Sequence, residues 1–145
     1  MLTLLVYLLW VSFSIYEGKR EAFYFSYKMK AGLQLQQVFK LDEHTMFTIT
    51  RTFVAAIALI ASYNGILNCV LILLSLALCF PFFHDGMYYV TRQKLDNIYK
   101  KGWFDQSTTS TAQTDKLKLF YPTSRIICFA LSLGLITYEI IINWK

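Results

Sequence analysis

Residues 44–85 read HTMFTITRTFVAAIALIASYNGILNCVLILLSLALCFPFFHD. Two long apolar runs flank Tyr63-Asn64-Gly65. A bilayer core needs about 20 residues of helix to cross about 30 Å, and each run approaches that length. A connection this short suits only a tight turn between antiparallel helices. The stretch therefore reads as a helical hairpin built to cross a membrane.

The composition agrees. Of 145 residues, 56% are hydrophobic, 17% aromatic and only 16% charged, where soluble domains carry about 25% charged residues. There is room for one compact bundle, residues 1–145, and no separate soluble domain. The fold class expected is an all-α integral membrane protein with four spans, about 2–16, 44–62, 66–83 and 125–143. A signal peptide is a poor reading of residues 2–16, because no positive region precedes the run and no small-residue cleavage site follows it. The connections are residues 17–43 and 84–121.

Each connection has some local pattern. Glu17, Glu21, Tyr24 and Lys28 fall on one helical face, so the first helix is expected to run on past the membrane surface. Ala31-Gly32 reads as its break, and Leu33 to Phe39 as a short interfacial segment. Tyr88, Thr91, Leu95, Ile98 and Tyr99 recur at helical spacing, with Arg92, Lys94 and Lys100 elsewhere on the wheel. That predicts an amphipathic cytoplasmic helix after the third span, either on the membrane surface or continuing the span. Residues 103–121 read as a polar loop that needs no regular structure. Pro81 is expected to be tolerated within the third helix, and Pro122 suits the first turn of the fourth.

Charge sets the orientation. All of the 14 Lys and Arg except Arg51 and Lys145 lie in the two connections or at their borders. The positive-inside rule puts both connections in the cytoplasm and both termini outside. The net charge of +5 is then a topology signal first. It makes the lipid bilayer and its anionic headgroups the natural partners, with a membrane-protein partner or a second copy as the other expected neighbour. No soluble basic face exists for nucleic acid.

Counting from the hairpin turn locates the polar side chains. His44 and His84 are equidistant from Asn64, so they share a depth at the cytoplasmic edge. Glu17 ends the first span there, Asp85 adjoins His84, and Arg125 begins the fourth span. Glu17, Glu21, His44, His84, Asp85 and Arg125 are thus expected in one layer. Arg51 lies about 10 Å deeper, two turns into the second span. A carboxylate partner reduces the cost of burying it, and Glu17, Glu21 and Asp85 are the candidates. Glu139 falls near the outer edge of the fourth span, and Asn68 and Ser75 share one face of the third, as interhelical hydrogen-bonding groups would.

Metal and cofactor signals are weak. His44, His84, Asp85 and Glu17 are suitable ligand types for zinc or iron. Their spacing matches no standard motif, neither H-E-x-x-H nor the E-x-x-H of di-iron bundles. A haem between the two histidines would need both rings in one cleft. No cofactor is therefore expected. Cys69, Cys79 and Cys128 sit in apolar runs without metal spacing. The Ser107–Thr111 hydroxyls lack a nucleophile elbow, and the loop lacks the glycines of a phosphate cradle. Paired cysteines, as in quinone-linked disulfide-forming proteins, are missing, and Glu17 follows the first span where small multidrug transporters carry an acid within it. The reading favoured is a binding, accessory or scaffold subunit. A membrane-embedded enzyme acting on a lipid or small anion through the His, carboxylate and Arg layer is second, and an oligomeric transporter or pore third.

Overall fold

The computed structural model describes residues 2–31, 43–61, 64–96, 101–105 and 122–143, with the side chains of 27–31, 43–46 and 61 outside that description. The described residues form four helices, α1 (Leu2–Ala31), α2 (Glu43–Ala61), α3 (Ile66–Leu95) and α4 (Pro122–Ile142), and no strand. The expected interfacial segment at 33–39, the positions 98 and 99, and the loop from 106 to 121 lie outside the described residues.

Two helices, α3 and α4, are long and apolar enough to cross a membrane, and α2 holds a shorter apolar stretch, Phe47–Ile60. The apolar part of α1, residues 2–16, is shorter than the roughly 20 residues that a straight crossing needs. Both α1 and α3 outrun their apolar parts. In α3 the helix continues through Pro81 and on to Leu95. No separate amphipathic helix starts at His84, because nothing between Phe83 and Leu95 interrupts the ladder. Pro122 is the first residue of α4, where its missing N–H has no intrahelical partner to lose. Gly65 precedes α3 at φ 103°, a conformation that favours glycine.

The hairpin that dominates the sequence does not dominate the packing. The extensive interfaces are α1 with α3 and α3 with α4, while α2 touches the others sparsely. The core joins Tyr7 and Trp10 of α1 to Ile72, Leu76 and Cys79 of α3 and Ile136 of α4. Trp10 donates its indole N–H to the Leu76 carbonyl at 2.9 Å. Thr3, Tyr7, Trp10, Ser14, Glu17 and Glu21 recur every three or four residues along α1, so they share one face. That face meets α3 and α4.

The α1–α3 crossing is closest at Gly18. A Cβ built there would collide with the His84 carbonyl group and approach the Tyr88 amide, both backbone. Backbone cannot swing aside as a side chain can, so the two helices must part to admit one. Gly18→Ala is expected to lower stability in detergent by about 1–3 kcal/mol, read as a reduced thermal midpoint by circular dichroism. An unchanged midpoint would show that the crossing is looser than this geometry.

Candidate functional site

Beside the Gly18 crossing, α1, α2 and α3 bring charged side chains together. Glu17 is wholly buried. It accepts from Arg20, one turn on, at 2.6 Å. Arg51 of α2 reaches across to pair with Glu21, and its Nε lies 3.9 Å from Glu17 Oε1. His84 of α3 completes the group. Its Nδ1 is 2.8 Å from Asp85 Oδ1, and its Nε2 is 3.1 Å from Arg51 Nη2 and 3.3 Å from Glu21 Oε2.

Aromatic rings frame the cluster. Phe80 stacks on the His84 ring at 4.7 Å, and the Arg51 guanidinium sits 4.8 Å from the centre of the same Phe80 ring. Phe47 lies beneath both Arg20 and Arg51, at 5.1 and 5.8 Å. Such faces attract guanidinium groups and exclude water.

The geometry around His84 serves two protonation states. An arginine only donates. A neutral ring therefore gives its Nδ1 proton to Asp85 and accepts from Arg51 at Nε2. A doubly protonated ring keeps the Asp85 bond and donates from Nε2 to Glu21 instead. The charges count the same way. Glu17, Glu21 and Asp85 face two cations, Arg20 and Arg51, so one further proton on His84 balances the cluster. An anionic ligand finds little attraction here, because the Arg51 charge is already committed to Glu21 and neighboured by Glu17.

Not every residue of the expected layer joins this cluster. Glu17, Glu21, Arg51, His84 and Asp85 meet. The His44 side chain lies outside the described residues, so neither its distance to His84 nor a haem between them has a geometry to report. Among the described residues no group of three His, Cys, Asp or Glu is arranged to hold a metal ion. Arg125 sits elsewhere, against Tyr89 and the Trp103 carbonyl. A cavity of about 350 Å³ opens on α2, lined by Thr48, Ile49, Thr52, Phe53 and Ala56, and none of the cluster residues lines it.

Sequence reading passes over some members. Arg20 pairs with Glu17 at i, i+3, and Phe80 stacks on His84 at i, i+4. Both spacings are visible once the helices are drawn through these positions. A second polar centre spans the opposite end of the bundle. Glu139, only 1% exposed, accepts from Thr3 at 3.3 Å and from Asn143 at 3.2 Å. Asn143 Oδ1 in turn accepts from Asn64 and Asn68, each at 3.0 Å. Midway, Ser75 and Ser132 exchange bonds with each other's carbonyls at 3.0 and 2.8 Å, and the Tyr7 hydroxyl lies 2.8 Å from Ser132 Oγ.

No protein family, curated protein or solved structure matches this chain.

Arg51 ties the loosely packed α2 to the rest of the bundle. Arg51→Leu leaves Glu21 and Glu17 without that cation and is expected to cost about 1–3 kcal/mol. Adding Glu21→Gln should return part of the loss, because coupled partners are not additive. Chemical unfolding of the two single variants and the double variant measures this. Strict additivity would mean that the two groups do not interact.

Proposed function

We propose that this chain is a four-span integral membrane protein that acts as a binding or accessory subunit, with its basic connections against anionic headgroups on the cytoplasmic side. The observation that carries the reading is the placement of side chains. Leu9, Phe53, Ile57, Ile66, Leu67 and Ile141 are each more than half exposed, while Ser14, Glu17, Ser75 and Ser132 are wholly buried and Arg125 and Glu139 nearly so. Water would drive the opposite arrangement. Apolar surface of this extent needs a cover, and lipid supplies one along the length of each helix. Polar groups turned inward then serve as interhelical hydrogen bonds.

α3 and α4 supply two crossings by length and hydropathy. The apolar stretches of α1 and α2 supply the other two by running alongside α3, a tilt or local thinning of the bilayer accommodating the shorter ones. The orientation follows from the lysines and arginines gathered in residues 17–43 and 84–121. A binding role is favoured over catalysis because both cations of the ionic cluster, Arg20 and Arg51, are paired with carboxylates of the protein, even though Glu17 Oε2 and Arg51 Nε are buried without a hydrogen-bond partner. Such pairing suits a clamp holding three helices.

Two measurements test this. Cysteine placed at Asn64 is expected to react with an impermeant reagent on intact cells, and cysteine at Ser107 only after permeabilisation. The reverse pattern would overturn the orientation, and recovery of the protein in an alkaline carbonate wash would overturn membrane integration. Replacing Lys100, Lys101, Lys116 and Lys118 by glutamine should lower the enrichment of acidic over zwitterionic lipid around the protein, each lysine being worth about 1 kcal/mol. Unchanged enrichment removes headgroup binding from the proposal.

A further inference from the structure

Arg125 is the most deeply buried of the described arginines. It is 1% exposed. Its Nη2 donates to the Trp103 carbonyl, and its guanidinium lies 5.6 Å from the centre of the Tyr89 ring. Its Nε and Nη1 are buried without a hydrogen-bond partner, and no carboxylate among the described residues pairs with it. The indole N–H of Trp103 is also buried without an acceptor. Three buried donor atoms of these two contacting residues thus lack an acceptor, the indole itself lying over Gly86 of α3. Leaving a buried donor without an acceptor is destabilising, the more so when it is charged.

The helix worsens the imbalance. Arg125 stands in the first turn of α4, and a helical side chain leans back toward its N-terminus. Arg125 therefore adds its charge to the positive end of the α4 macrodipole. Both factors call for an anion. The Lys101 ammonium lies 6.0 Å from the centre of the same Tyr89 ring.

We propose that Arg125 and the Trp103 indole, at the N-terminal end of α4, form a receptor for a phosphate group. A phosphate offers only acceptors to these donors, and a guanidinium matches it bidentately. Its source in the bilayer is an acidic phospholipid headgroup. Trp103 and the exposed Phe104 mark headgroup depth, as interfacial aromatics do. Phe82 lies against both rings, 5.9 and 6.2 Å between centroids. This assignment of a source rests on the membrane reading above, whereas the receptor chemistry does not.

The full chain in detergent gives the test. Thermal unfolding is followed against sodium phosphate at constant ionic strength, with chloride as the reference. In a parallel arm, the chain in phosphatidylcholine nanodiscs with and without phosphatidylglycerol is assayed by native mass spectrometry for retained lipid. Arg125→Gln is compared with Lys94→Gln, a change of equal charge at an exposed position. A saturable rise in midpoint, or one retained phosphatidylglycerol, is expected for the wild type and for Lys94→Gln. Apparent affinity should fall at least tenfold in Arg125→Gln, and Arg125→Lys should keep part of it. Response to phosphatidylglycerol alone assigns a headgroup, and response to inorganic phosphate as well assigns the phosphate itself. If Arg125→Gln does not fold, the wild type decides. Absence of both wild-type responses, or a folded Arg125→Gln that responds as strongly, overturns the receptor. Because the phosphate arm needs no bilayer, its failure is distinct from failure of the membrane reading.

Discussion

The backbone contact between α1 and α3 at Gly18 is the constraint on which the rest of the structure depends. With no side chain on Gly18, α1 lies directly on the His84 carbonyl group. One residue earlier is Glu17, and three later is Glu21. The crossing therefore delivers two carboxylates to His84 and Asp85 at the point where the helices leave their apolar stretches. Arg51 then has a destination, and α2 has a reason to stay.

Charge is arranged around this contact with some economy. Arg51 pairs with Glu21 of α1 and meets His84 of α3, so it links α2 to both. His84 is satisfied in either protonation state, because Asp85 and Glu21 can receive its protons and Arg51 can donate when Nε2 is bare. Phe47 and Phe80 close the apolar sides of the cluster. Farther along the bundle, the serine pair and the Glu139–Asn143 centre repeat the theme at lower charge. Helices without a strong hydrophobic reason to associate in lipid gain specificity from such bonds.

Much of this was legible in the sequence. Hydropathy and the Asn64-Gly65 turn give the four helices, and the position of Arg51 two turns inside the apolar run of α2 implies a partner from a short set of acids. The hierarchy of packing was not legible. The hairpin of α2 and α3 is the most conspicuous feature of the chain, yet α3 packs mainly on α1 and α4. Sequence periodicity identifies which residues share a face, and the choice of neighbour depends on where backbones approach, which a single glycine among six does not announce. Arg125 shows the same limit. Depth counting places it in the layer of Glu17 and His84, because depth says nothing of angular position around the bundle, and the structure turns it toward Tyr89 and Trp103 instead.

The two buried charges of α4 have a joint consequence. Arg125 and Glu139 are about 21 Å apart along the axis at about 1.5 Å per residue, the cation at one end and the acid at the other. With the proposed orientation, the cation lies toward the cytoplasm. A membrane potential that is negative inside draws Arg125 inward and drives an ionised Glu139 outward, and a unit charge crossing the whole potential changes energy by about 2.3 kcal/mol per 100 mV. In that orientation a resting voltage exerts a torque on α4 that favours the upright helix, with no net force along the axis because the two charges are opposite.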